Sequence, residues 1–209
     1  GCEGERANVA LYEKTLSLHP DYPLLHGLSI LEVGCGQGGG LEWIKESRSD
    51  VNIIGMDKIP IDDRIIRGDA HNLPFETNSF DIILNVESSH LYGDTVMFFK
   101  ECARVLKDGG HLCWADLRFD KEEKIVLQQT KATGLSLLEI EDITEYVVDG
   151  MGIVAKRYDC MIHEAPWYIK LFSSSLRKTY CAPGTETHMR YVTREKRYWT
   201  ACWQKNPIH

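Results

Sequence analysis

Short, continuous apolar runs that end in polar or acidic residues recur along the chain: LSILEVG (28–34), VNIIGMD (51–57), FDIILNVESS (80–89) and HLCWADL (111–117). Such runs are expected of parallel strands covered on both faces, which have no solvent side to alternate with. DRIIRGDA (63–70) and residues 136–141 read as two more strands, and KRYWTACWQK (196–205) alternates like a closing one. The intervening stretches carry helical spacing. Residues 5–19 place Val9, Leu11, Tyr12, Leu16 and Leu18 on a helix that Pro20 and Pro23 end. GGLEWIKES reads as a helix start, TVMFFKECARVLKDGG (95–110) as an amphipathic helix stopped by Gly-Gly, and residues 120–133 as another helix. Residues 145–180 look helical and rich in aromatics.

Strands that alternate with helices predict a doubly wound α/β sheet, whose ligands sit beyond the carboxyl ends of the strands. One connection resists this. Only KIPID separates Asp57 from DRII, whereas a crossover between parallel neighbours usually takes a dozen or more residues. The expectation is that residues are missing between Ile59 and Arg64; a truly shortened crossover is the alternative.

Composition narrows the class. A chain of 209 residues fits a single domain over 1–209, with a helical segment at 1–27 and a helical insertion at 145–195. A net charge of −7 argues against a nucleic-acid partner, which needs clustered Lys and Arg. Seven cysteines without CxxC pairing read as free thiols. No run reaches the length of a membrane span, so no integral membrane association is expected. No signal peptide is visible, the chain starts at Gly1 without Met, and the cytoplasm is the expected compartment. The oligomeric state is not legible.

The candidate chemistry begins at ILEVGCGQGGG (30–40). Gly34-x-Gly36-x-x-Gly39 satisfies a dinucleotide fingerprint, and Glu32-x-Gly34-x-Gly36-x-Gly38 satisfies one for S-adenosylmethionine (SAM). Both cofactors need glycines that bring backbone close to the ligand. Both also use an acid at the end of the second strand, here Asp57, to accept ribose hydroxyls. GDAHNLPF (68–75) then puts Asp69 at a third strand end, where it can accept an adenine amino group beside the Ala70 backbone.

Taken together, the acid before the glycines, the strand-2 acid, GDAxxLPF, SFDIILNVESSH (79–90) and RVLKDGG resemble class I SAM-dependent methyltransferases of small molecules, in the same order. The resemblance covers most of the chain. It implies a Rossmann-like, mostly parallel sheet with a C-terminal antiparallel strand and an inserted helical lid. It also implies SAM as cofactor and S-adenosylhomocysteine as product. Glu32, Gly34, Cys35, Gly36 and Gly38 would lie along the methionine portion, Asp57 and Lys58 at the ribose, and Gly68, Asp69 and Ala70 at the adenine. Asn85 and Val86 would touch the cofactor through backbone. LNVESSHLY, WADLR and PGTETHMRY further resemble the phthiotriol and phenolphthiotriol dimycocerosate methyltransferases, which O-methylate a hydroxyl of a large lipid, and more distantly sterol and quinone methyltransferases.

Methyl transfer to a hydroxyl gains from a base with pKa near neutral. His90, just past the fourth strand, is the candidate base; a loop histidine bonded to backbone is the plain alternative. Glu87 is expected to orient its ring, to touch substrate or to cap a helix. Tyr92, Asp116 and Arg118 are candidate substrate contacts, with an Asp–Arg surface pair as the alternative for the last two. APWYIKLFSSSL (165–176) places Trp167, Tyr168, Leu171 and Phe172 on one apolar helix face, and Trp167 and Phe172 are the candidate lid contacts. A small, hydrophobic or lipid-like acceptor follows, methylated on oxygen; methylation of carbon or nitrogen, or SAM binding without turnover, are the alternatives. Histidines 19, 26, 71, 111, 163, 188 and 209 show no metal-ligand spacing, so no metal is expected.

Overall fold

The computed structural model describes residues 3–48 and 50–207. The outer ends of the expected 1–209 domain and 1–27 segment, and His209, lie outside the described residues. Among the described residues one seven-stranded sheet runs β3-β2-β1-β4-β5-β7-β6. Its strands are β1 Ser29–Val33, β2 Asn52–Asp57, β3 Ile65–Arg67, β4 Phe80–Val86, β5 Leu106–Phe119, β6 Leu135–Asp142 and β7 Lys196–Lys205. The first five run parallel, and β7 is antiparallel to β5 and β6 on either side of it. The fold is therefore the mostly parallel, Rossmann-like sheet expected, with antiparallel strands at its C-terminal end. Around it lie α1 Glu3–Leu16, α2 Gly39–Ser47, α3 Thr95–Val105 and α4 Glu123–Lys131. The helical insertion between β6 and β7 comprises α5 Thr144–Glu164, α6 Trp167–Lys170, α7 Ser173–Thr179 and α8 Glu186–Val192.

Each central strand feeds two cores. Ile30 packs with Leu16 of α1 and Ile44 of α2 on one face; Leu31 and Val33 pack with Phe98 and Phe99 of α3 on the other. This is why the runs are continuously apolar. Each fully buried Leu or Ile contributes about 1.5–3 kcal/mol relative to exposure, so the centre of the sheet is its most secure part.

Three expectations change. The helix at 95–110 stops at Val105, because Leu106 is already extended and pairs with Phe80. Gly109 and Gly110 belong to β5 rather than to a helix stop: a Cβ on Gly110 would lie 2.9 Å from the Asp81 carbonyl oxygen. The closing strand β7 is no edge strand. It is inserted between β5 and β6, and its residues are buried from Tyr198 to Trp203 rather than alternating. The third strand shrinks to three residues, and seven residues, Lys58–Arg64, join it to β2. Because Gly55 pairs with Ile65 and Asp57 with Arg67, the chain has to step back only two registers.

Candidate active site

The glycine loop leaves β1 at the carboxyl edge of the sheet and is tied to β2 by its own backbone. The Gly34 and Cys35 N–H groups both donate to the Met56 carbonyl, at 2.8 and 3.2 Å. Gly34, Gly36 and Gly38 all have positive φ, at 75°, 55° and 80°. This conformation is costly for residues with a Cβ. Asp57 closes the loop: its Oδ2 accepts from the Gly36 N–H at 2.8 Å and its Oδ1 from the Ile59 N–H at 3.0 Å. The glycine-to-acid spacing read from the sequence is thus a physical contact.

Glu32 lies fully buried beneath this loop, 0% exposed. Its Oε1 accepts from the Tyr12 hydroxyl of α1 at 2.5 Å, while its buried Oε2 has no partner among the described residues. Burial pushes its carboxyl up to about 7, against the opposing pull of the Tyr12 hydrogen bond and with a smaller push from Asp57. Asn85 is its counterpart on β4. Its amide donates to the Val33 carbonyl at 2.8 Å and to Ser88 Oγ at 2.7 Å, and its buried Oδ1 is also without a partner among the described residues. Buried acceptors normally find donors. Two of them, one a carboxylate, stand by the loop that the sequence assigned to the methionine portion. The residues therefore fit a cationic, amino-bearing cofactor such as SAM.

The other candidate positions divide. Val86 is buried at the end of β4. Cys35 turns its thiol into the core, where burial pushes it up to about 12, and its N–H and carbonyl are both used within the protein. It supplies neither a thiolate nor a free backbone donor. A Cβ on Gly68 would meet Met56 Sδ at 2.4 Å and Pro74 Cδ at 3.1 Å, so a larger residue there would have to displace the Met56 side chain. Asp69 caps its own turn: Oδ1 accepts from the His71 N–H at 2.9 Å and pairs with His71 Nδ1 at 2.6 Å, and these bonds hold its carboxyl below the usual range. Oδ2 faces the exposed Lys58 at 3.6 Å, beside the buried Ala70.

Past β4 the chain turns sharply through Glu87, whose φ is 53° although it is not glycine. The turn carries Ser88 and Tyr92 back over the glycine loop, where a Cβ on Gly34 would lie 2.4 Å from Ser88 Oγ and 2.7 Å from the Tyr92 hydroxyl. It also sets His90 in a 3₁₀ turn, Ser89–Leu91. Asp116 of β5, 0% exposed, receives that turn from below. Its Oδ1 pairs with His90 Nδ1 at 2.6 Å, and its Oδ2 accepts from the His90 N–H at 2.8 Å and Ser89 Oγ at 2.6 Å. Arg118 reaches the same carboxylate at 3.2 Å and Ser89 Oγ at 2.7 Å, and Trp114 Nε1 donates to Ser89 Oγ at 2.8 Å.

This network revises three assignments. Glu87 does not orient His90; it accepts from the Tyr198 hydroxyl instead, and Asp116 holds the imidazole. Asp116 and Arg118 form a buried pair rather than a surface pair, and only Arg118 lines the adjoining cavity. Tyr92 lines that cavity too, but its hydroxyl is committed to Ser88 and Asn85, and burial pushes it up to about 12. The cavity, about 310 Å³, lies against His90, Ser89, Leu117, Phe119 and Val126. Trp167 and Phe172 are not brought to it: they stand 74% and 63% exposed on the insertion.

Tyr12, Ser88, Ser89 and Tyr198 were missed by sequence reasoning. The two serines sit inside the quoted LNVESSHLY stretch and had a local signal. Tyr12 and Tyr198 are distant in sequence from the glutamates they meet and had none. Among the described residues no group of three His, Cys, Asp or Glu side chains is arranged to hold a metal.

Sheet order, glycine loop and strand-end acids define the class I SAM-dependent methyltransferases, and the chain belongs to that family. Residues 31–114 match the family profile described as a methyltransferase domain. Phthiotriol/phenolphthiotriol dimycocerosates methyltransferase of Mycobacterium tuberculosis (strain ATCC 25618 / H37Rv) is 36% identical, over 72% of this chain and 58% of that protein. Its Mycobacterium leprae (strain TN) counterpart is 38% identical over 56% and 46%. A fatty-acid O-methyltransferase of Mycolicibacterium smegmatis is 35% identical over 56% and 45%. The chain thus spans about half the length of these relatives. Among solved structures, Haemonchus contortus phosphoethanolamine N-methyltransferase 2 in complex with SAM superposes with a TM-score of 0.69 at 18% identity, over 97% of this chain and 53% of that one. Geranyl diphosphate C-methyltransferase from Streptomyces coelicolor A3(2) gives 0.67 at 14%, over 96% and 80%. At such identities the likeness is one of fold.

Proposed function

We propose that the protein transfers a methyl group from SAM to a hydroxyl of a small, hydrophobic or lipid-like molecule. The observation that carries the choice of oxygen is the His90–Asp116 pair. A buried carboxylate at Nδ1 fixes the ring so that Nδ1 carries the proton and Nε2 is left basic. Nε2 has no protein partner among the described residues, and the ring borders the cavity of about 310 Å³. When bound, SAM supplies an electrophilic methyl on sulfonium. The chain's own residues supply the rest. Glu32 and Asn85 offer their unpaired oxygens to the amino-acid end, and Asp57 offers its carboxylate to the ribose. His90 takes the acceptor's proton at Nε2, and Asp116 stabilises the imidazolium that results. Leu117, Phe119, Ile125 and Val126 give the cavity an apolar side that suits the hydrophobic part of an acceptor, while Arg118, Glu122, Gln129 and Lys196 line the rest with polar groups. The named activities of the mycobacterial relatives, on dimycocerosate lipids and on a fatty acid, support an apolar acceptor.

The test is to incubate the protein with SAM carrying a deuterated methyl group and a lipid and metabolite extract, and to search for labelled products by mass spectrometry. An O-methylated lipid is the expected result. His90→Asn then lowers kcat by about 10²- to 10⁴-fold, while S-adenosylhomocysteine still raises the melting temperature. A label on carbon or nitrogen, or turnover indifferent to His90, overturns the oxygen reading. No label in any product, with cofactor binding intact, leaves SAM binding without turnover.

A further inference from the structure

The helical insertion leaves the sheet after Asp142 and returns at Lys196. Both points lie at the carboxyl edge, because Lys196 pairs with Phe119 and Asp142 with Trp199. The insertion therefore stands beside the edge that carries Asp57 and His90. Its α5–α6–α7 corner does not pack its apolar residues. Met161, Trp167, Tyr168, Leu171 and Phe172 are exposed, Trp167 and Leu171 to 74% and 70%. A cluster of this size at one corner marks an interaction surface rather than scattered surface apolar residues.

Charge and composition select the occupant. Between residues 153 and 178 the sequence has Lys156, Arg157, Lys170, Arg177 and Lys178 against Asp159 and Glu164, a net charge of +3 in a chain of −7. Asp159 is engaged by Arg177 and by the Tyr180 hydroxyl, so it does not quench the exposed lysines. Lys156 and Arg157 on α5, Lys170 on α6 and Lys178 on α7 are all exposed, against the exposed Glu164 at the end of α5. Trp and Tyr with an apolar body and a polar edge, flanked by Lys and Arg, are the chemistry of a headgroup boundary. A second copy of this chain could cover the aromatics with its own corner, but that pairing would bring the two basic rims together. No helix of the described residues is long and apolar enough to cross a membrane, so contact would be from the side.

We propose that the α5–α6–α7 corner docks on an anionic lipid surface, with Trp167, Leu171 and Phe172 entering the headgroup boundary and Lys156, Arg157, Lys170 and Lys178 pairing with lipid phosphates. The choice of a lipid surface rests in part on the apolar-acceptor reading above, since an acceptor of that kind resides in such a surface. Docking would hold the cavity by His90 close to its source. The overall negative charge then acts as an orienting device, repelling the rest of the molecule from the surface that the corner seeks.

Flotation of the full chain with vesicles tests this without acceptor or turnover, so its outcome is independent of whether a labelled methylated lipid is ever found. Vesicles of phosphatidylcholine containing about one-third phosphatidylglycerol are expected to retain the protein about tenfold more strongly than phosphatidylcholine alone, and salt should weaken the binding. Trp167→Ser with Phe172→Ser should abolish retention, and Lys156→Glu with Lys170→Glu should remove the preference for phosphatidylglycerol. Stabilisation by S-adenosylhomocysteine should be unchanged in both, which verifies the fold. Equal, weak retention on both vesicles overturns the proposal. So does a dimer in sedimentation that the Trp167/Phe172 double variant dissociates, which would make the corner a self-association surface.

Discussion

Gly34 and Gly36 share a left-handed backbone but differ in their surroundings. A Cβ on Gly34 would strike Ser88 and Tyr92 within the protein, whereas one on Gly36 meets nothing within 4 Å. Gly34→Ala is therefore expected to cost about 1–3 kcal/mol of stability and to lose cofactor binding with it. Gly36→Ala should cost only the backbone penalty of about 1–2 kcal/mol, and its larger effect should be on S-adenosylhomocysteine affinity. Urea unfolding and calorimetric titration separate the two. Glu32 makes a pH prediction. Its carboxyl is raised to about 7 in the fold against an ordinary 4.5, so the free protein binds an extra proton between those values. Its contribution to stability declines as pH rises through that window. Cofactor binding should move the other way, strengthening toward pH 7 as the carboxylate forms, and Glu32→Gln should flatten the dependence measured by titration calorimetry.

At the scale of elements, α1 is more than a cover for the sheet. Its Tyr12 reaches Glu32 on β1, and its ring fills the space that a Cβ on Gly40 of α2 would occupy, at 2.2 Å. Tyr12→Phe removes the donor that favours ionisation of Glu32. The pH at which S-adenosylhomocysteine affinity reaches half its maximum should then rise above that of the unaltered protein. An unchanged midpoint would mean that Tyr12 only packs. The elements themselves were largely legible: α2 and β7 fall where their patterns put them, because each pattern is local. The end of α3 was not. VLKDGG looks like a helix stop, but the competing partner for Leu106 is Phe80 on a neighbouring strand, and pairing with it outweighs the local preference.

At the scale of the whole molecule, His19, after α1, meets His111 of β5 edge to face at 4.4 Å between ring centroids. Burial and the neighbouring His111 lower His19 to about 4, and burial also lowers His111. Groups held below their ordinary 6.5 stabilise fully above it, and this contribution is lost as pH falls from about 6.5 toward 4. This opposes the Glu32 trend over the shared window. The melting temperature should drop on acidification, and His19→Gln should soften the drop; an identical acid profile in the variant would dismiss the pair as its cause.

The sequence by itself determined the doubly wound sheet, the glycine loop, the place of Asp57 at the end of the second strand and that of His90 after the fourth. These follow from periodicity, from backbone conformations that glycine favours, and from chain order, all of which are local properties. Only the tertiary structure decided which carboxylate serves His90. Glu87 is three residues away and turns to Tyr198; Asp116 is twenty-six residues on and arrives through the pairing of β5 with β4, Val86 against Ala115. The partner of Glu32, the insertion of β7 between β5 and β6, and the outward-facing Trp167 and Phe172 were decided the same way. Each depends on where a distant segment packs, and the residues nearby in the chain carry no record of that.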